Sequence, residues 1–142
     1  MIASLKVNKS DALFKGISNI GNTCFMNSVM QSLVATPVLS KFFEEYSFNE
    51  TKQPIGYALS VISKALMANE KPVPFFFKKV IDVHMPLFSG YDQHDAQEFL
   101  NLLLDKINEE LRDKPTVIDY LFGGKTISCL TCLGCKKVKK ID

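Results

Sequence analysis

The stretch DAQEFLNLLLDKINEEL, residues 95–111, constrains the fold more than any other part of the chain. Ala96, Phe99, Leu100, Leu103, Ile107 and Leu111 recur at helical spacing, and Leu102 and Leu104 widen the stripe. A stripe that wide is a buried face, so the body around it is expected to be α-rich. Asp92 is read as the cap of this helix. Asp95 and Glu98 put negative charge in or near its first turn, where the helix dipole favours it.

Other helices are expected upstream. Phe25, Met26, Val29, Met30, Leu33 and Val34 form a half-buried stripe that ends at Thr36-Pro37. VLSKFFEEY is read as a second helix. In QPIGYALSVISKALMANE, Ile55, Leu59, Ile62 and Leu66 line one side, and Pro54 suits the first turn. KPVPFFFKKVIDVH opens on a proline-bounded turn and becomes a short helix carrying Phe75 to Phe77. After RDKPTV the pattern changes. IDYLFGGKTISCLTCLGCKKVKKID has a Gly pair, alternation from Thr126 to Leu130 and a cysteine turn, and reads as the beginning of a strand-rich element with no partner for its strands. Residues 1–15 lack periodicity and read as a loose N-terminal arm. No internal repeat or linker divides residues 16–128.

A chain of 142 residues, 46% hydrophobic and 23% charged, has the composition of a globular domain or of a piece of a larger one. A formal charge of +2 points to neither a nucleic-acid nor a membrane partner. The N-terminus has no continuous apolar core of a signal peptide, and no apolar run approaches a membrane span, so an intracellular location, cytoplasmic or nuclear, is expected. Cys24 stands alone, whereas Cys129, Cys132 and Cys135 cluster near the end, which is not the spread of a secreted disulfide scaffold.

Cys24 falls where GISNIGNT runs into the first helix, with Asn22 or Thr23 available as cap. A thiolate is favoured at a helix N-terminus, where unpaired N–H groups and the dipole stabilise negative charge. The same N–H groups could bind an oxyanion beside the sulfur, and the Asn19 carboxamide could supply a second donor. A packed, inert cysteine is the competing reading, since free Cys is among the most buried residue types.

The wider sequence decides between them. GISNIGNTCFMNSVMQSL resembles the cysteine box of the ubiquitin-specific proteases, matching at Gly16, Asn19, Gly21, Asn22, Thr23, Cys24, Phe25, Asn27 and Ser28, with Ile17 in place of the usual Leu. GYDQHDAQEFLNLLLDKI resembles the second, glutamine-aspartate box of that family, from Gln93 through Leu100. The resemblance covers residues 16–135. It implies a papain-like α+β cysteine protease fold, with residues 16–120 as the helical thumb and 121–142 as the start of the β-rich, zinc-bearing fingers. It implies Cys24 as the nucleophile that attacks the carbonyl of ubiquitin's C-terminal glycine, and Asn19 as the oxyanion-hole side chain. Gln93, Asp95 and Glu98 become candidates for contact with ubiquitin's arginine-bearing tail, although Asp95 and Glu98 serve equally as helix-capping acids. Ubiquitin and ubiquitinated proteins are the implied partners.

Two parts of the family pattern are missing. The catalytic His comes late in this family, and the chain has only His84 and His94, at or before the second box. Imidazole both activates the thiol and protonates the leaving amine, so these residues alone are expected not to turn over an isopeptide. FGGKTISCLTCLGCK resembles the start of the fingers, with Cys132 and Cys135 as the zinc-binding pair and Cys129 as an extra; Cys129 with Cys132 is also open on spacing. Tetrahedral structural zinc takes four ligands and only half a site is present, so no cofactor is required for catalysis and zinc is expected only in a longer protein. KKVKK, residues 136–140, reads as a solvated strand face. The remaining alternatives are a catalytically incomplete module that binds ubiquitin or another partner, and a zinc-ribbon interaction protein.

Overall fold

The computed structural model describes residues 15–111 and 116–141, so most of the arm read at residues 1–15 lies outside the described residues. Among the described residues six helices and one hairpin follow in order: α1 (Cys24–Val34), α2 (Pro37–Glu45), α3 (Pro54–Met67), α4 (Phe75–His84), α5 (Ala96–Glu110), α6 (Val117–Phe122), β1 (Ser128–Thr131) and β2 (Val138–Ile141). A single 3-10 turn, Pro86–Phe88, joins α4 to the segment before α5. None of these helices is long and apolar enough to cross a membrane.

Helix α3 is central and packs against α1, α2, α4 and α5, while α5 also packs on α1. The stripes read from periodicity are the buried faces. All six apolar residues assigned to α1 are buried, as are Ile55, Leu59, Ile62 and Leu66 of α3. On α5, Phe99, Leu103, Leu104 and Ile107 are buried, with Leu100 and Leu102 packed at the margin. Phe25, Phe88 and Phe99 form the aromatic centre, with ring centroids 5.1–5.9 Å apart. Each edge-to-face pair adds about 0.5–1.5 kcal/mol beyond area burial. Of the three phenylalanines that open α4 only Phe77 is buried; Phe75 and Phe76 face outward.

The start of α3 is held from a distance. Pro54 occupies its first turn, and no side chain of its own cap closes it. The Glu110 carboxylate, at the end of α5, instead accepts from the Ile55 and Gly56 N–H groups at 2.9 and 2.8 Å. Gln53 donates to the Glu110 carbonyl at 3.0 Å, so side chain and backbone of one residue anchor the same helix end. Burial pushes the Glu110 carboxyl above its ordinary value, against the two N–H groups and nearby His84, which pull it down. Gly56 is required here: a Cβ on it would fall 2.3 Å from the Phe48 ring.

Three local expectations are corrected. Asp95, not Asp92, caps α5, because the cap must sit immediately before the first helical residue to reach the free N–H groups; its Oδ1 accepts from Gln97 and Glu98 at 2.7 and 2.9 Å. The segment after RDKPTV starts with a helix, not a strand. Thr116 and Asp119 form a reciprocal capping box, and Thr116 and Asp119 both bond Asn108 of α5, which locks α6 onto the body. The strand from Ser128 does have a partner in the chain: β2 pairs antiparallel with it, from Ser128 opposite Ile141 to Thr131 opposite Val138. The lysine run supplies that partner, and its side chains are exposed, as a solvated strand face requires.

Candidate active site at the start of α1

Residues 19–24 form a turn whose backbone is set by Gly21 (φ 112°) and Asn22 (φ 48°), both in the left-handed region. The Asn19 side chain organises it. Its Oδ1 accepts from the Gly21 N–H at 2.9 Å, the Thr23 N–H at 3.4 Å and the Thr23 hydroxyl at 3.1 Å. Two of those partners are obligate donors, so the oxygen must face inward and the amide nitrogen outward. Thr23, almost fully buried, also accepts from the Ile20 N–H.

Thr23 and Asn22, the two residues read as caps for α1, do other work. Thr23 occupies the cap position without a side-chain hydrogen bond to the helix, and Asn22 donates to the Tyr91 carbonyl at 2.9 Å. The first turn of α1 also carries no acidic residue. Its leading N–H groups are therefore left to whatever anion arrives, which is the electrostatic setting of an oxyanion hole. Cys24 is the first residue of α1 and its side chain is exposed, not packed. The buried reading of this cysteine does not describe the molecule.

The second sequence box lies at the same end. Phe25, next to Cys24, meets the His94 ring at 5.2 Å and Phe99 of α5 at 5.3 Å. Asn22 reaches Tyr91, two residues before Gln93. Gln93, Asp95 and Glu98 are all exposed there. Asp95 uses only Oδ1 for capping, so Oδ2 keeps its acceptor capacity toward solvent. Beyond them a groove of about 330 Å³ runs between α1 and α5, lined by Val29, Leu33, Ala96, Leu100 and Phe122 among others.

Neither histidine is arranged as a base for Cys24. His94 stands between Phe25 and Phe88, and its Nε2 is buried without a hydrogen-bond partner. His84 lies beside Glu110, at the far end of α5. The 15 residues of α5 put roughly 20 Å between that end and the one near Cys24.

Cys132 and Cys135 are not part of this site. They sit in the turn between β1 and β2, closed by the Cys132 N–H to the Lys137 carbonyl and the Lys136 N–H to the Cys132 carbonyl, both 2.9 Å. The Cys135 N–H, then the Cys135 thiol and the Gly134 N–H, bond the Cys132 sulfur and pull its thiol below the ordinary range. Among the described residues no group of three or more His, Cys, Asp or Glu side chains is placed to hold a metal. Tyr91 and Lys78 are the residues that sequence reasoning missed; a Gly-Tyr pair just before the second box was the available signal.

The family model described as ubiquitin carboxyl-terminal hydrolase matches residues 15–141. The chain is 32% identical to mouse ubiquitin carboxyl-terminal hydrolase 51 over 88% of its length, covering 22% of that protein. It is 40% identical to ubiquitin carboxyl-terminal hydrolase 5 of Arabidopsis thaliana over 72% of its length, covering 12% of that protein. Against human ubiquitin carboxyl-terminal hydrolase 19 it is 39% identical over 69% of its length, covering 8% of that protein. The chain belongs to the ubiquitin carboxyl-terminal hydrolase family, a family of papain-like hydrolases. It spans less than a quarter of the length of these relatives.

Proposed function

We propose that this chain carries the nucleophile half of a thiol-dependent deubiquitinase, which hydrolyses the bond after the C-terminal glycine of ubiquitin. The observation that carries this reading is the exposed Cys24 at a helix start that no side chain caps. Cys24 attacks the glycine carbonyl, and the first N–H groups of α1 with the outward-facing Asn19 amide receive the oxyanion. Gln93, the free oxygen of Asp95 and Glu98 line the approach of ubiquitin's arginine-bearing tail. Residues 16–120 act as the thumb and 121–142 as the start of the fingers. Ubiquitin and ubiquitinated proteins are the partners, with no role for nucleic acid or membrane. A structural zinc would be held by Cys132 and Cys135 with two further thiolates from outside these residues.

Turnover needs an imidazole that these 142 residues do not place beside Cys24. The two steps are separable by experiment. Ubiquitin with a C-terminal vinyl methyl ester needs only a thiolate to react, whereas ubiquitin aminomethylcoumarin also needs its leaving amine protonated. The chain is expected to be labelled at Cys24 by the first and not to cleave the second, and Cys24→Ala abolishes labelling. Iodoacetamide modification of Cys24 without any ubiquitin labelling would sink the deubiquitinase reading. Release of coumarin by the chain would refute its inactivity.

A further inference from the structure

Lys78 is the one charged side chain among the described residues that is fully buried, with 4% of its surface exposed. A buried ammonium is costly unless it is held on several sides. Lys78 is paired with Asp82 on α4 and donates to the Phe88 carbonyl at 3.2 Å. Its third neighbour is aromatic: Nζ lies 5.4 Å from the centre of the Tyr91 ring. Tyr91 is 58% exposed, so burial does little to fix it.

Tyr91 in turn bears on the Cys24 turn at two points. Its ring packs on Gly21 so closely that a Cβ there would come within 3.2 Å of it, and its carbonyl accepts from Asn22. The contacts form an unbroken path from Lys78 through Tyr91 to Gly21 and Asn22, and so to Thr23 and Cys24. We propose that Lys78 is a positioning residue for the Cys24 turn, acting through the Tyr91 ring. The inference rests on the reading of Cys24 as nucleophile for its purpose, and on the contacts alone for its mechanism. It gives the buried charge a role that an apolar residue at position 78 would not fill.

Amide hydrogen exchange on the full chain tests it. The Gly21 and Thr23 amides, both bonded to Asn19, report the turn, and amides inside α3 report global opening. Lys78→Met is expected to speed Gly21 and Thr23 exchange about threefold to tenfold relative to α3. Lys78→Arg, which keeps a cation under the ring, restores most of the difference. Tyr91→Leu, which also removes the ring from Gly21, gives at least that acceleration, and adding Lys78→Met to it gives no further increase, because Lys78 acts through the ring. An unchanged ratio in Lys78→Met, or effects that multiply in the double variant, would overturn the proposal. Should Lys78→Met not fold, Tyr91→Leu against Tyr91→Phe makes the same comparison at an exposed ring, and equal exchange in the two overturns it. Labelling by the ubiquitin vinyl methyl ester is read in parallel. Where it occurs, Lys78→Met lowers the limiting rate and leaves the half-saturating concentration unchanged, and the reverse split overturns the proposal. Absence of labelling in the unsubstituted chain strikes the deubiquitinase reading instead, and the exchange ratio still decides the role of Lys78.

Discussion

The core that runs from Phe25 to Ile118 and the hairpin beyond it are held by different physics. In the helical body, apolar faces on all six helices and the 3-10 turn cover one another, and aromatic rings meet at its centre. From Phe122 to Lys140 every residue is exposed, Leu130, Leu133 and Val138 included. The hairpin has a ladder, a turn and hydrogen bonds to one sulfur, but no interior. A two-stranded hairpin without a covered face is marginal in water. Burial therefore fixes the part that carries Cys24, and local hydrogen bonding alone fixes the part that carries the other cysteines.

The sharpest way to break this contrast is to cut into the body. Phe99→Ala removes the ring shared by Phe25 and Phe88 and should cost about 3–5 kcal/mol in urea denaturation, with loss of the helical signal. A cost under about 1 kcal/mol would mean the centre is not packed as described. A smaller effect is expected at the joint between α3 and α5. Glu110→Ala leaves two N–H groups of α3 without their acceptor and should cost about 1–3 kcal/mol.

Glu110 also carries a pH signature. Its carboxyl is raised from an ordinary 4.5, so the folded state holds this proton more tightly than the unfolded state. The stability it contributes is complete below that ordinary value and is lost as pH rises through the raised one. Melting temperatures of the chain and of Glu110→Gln should diverge over that window, with the unsubstituted chain losing ground as pH rises. Parallel profiles would show that burial does not govern this group.

The smallest effects belong to the hairpin. Leu133→Ala should change stability by no more than about 0.5 kcal/mol, because the side chain touches little. Its chemistry is the better probe. Cys132, pulled down by the Cys135 and Gly134 N–H groups, should be alkylated faster near neutral pH than Cys129, which lies on the strand opposite Lys140. Equal rates by peptide mass spectrometry would dissolve the turn geometry.

Where periodicity carried the signal, the sequence was legible. The buried stripes of α1, α3 and α5 depend on which residues are apolar and how far apart they stand, and both are visible in a string. Cap identities were less legible. Asp92, Asn22 and Thr23 are all good cap types, and which oxygen meets which N–H depends on backbone angles that composition does not encode. α6 was missed because Thr116 with Asp119 is a capping box with Asp in place of the usual Glu or Gln, read past in favour of the Gly pair that follows. Cys24 and its neighbours were found as a motif. The inward oxygen of Asn19 and the Lys78–Tyr91 contact were not: the first depends on the backbone angles of a short turn, and the second joins α4 to the segment before α5, whose approach only the packed fold decides.

The bond from Glu110 to α3 also sets an order in time. Ile55 and its acceptor are 55 residues apart, so α3 leaves the ribosome well before the carboxylate that closes its first turn has been made. At cellular synthesis rates that interval is about 3–11 s. Until then the first N–H groups of α3 have only water to bond. Completion of α5 supplies both that acceptor and the apolar face on which α1 and α3 pack.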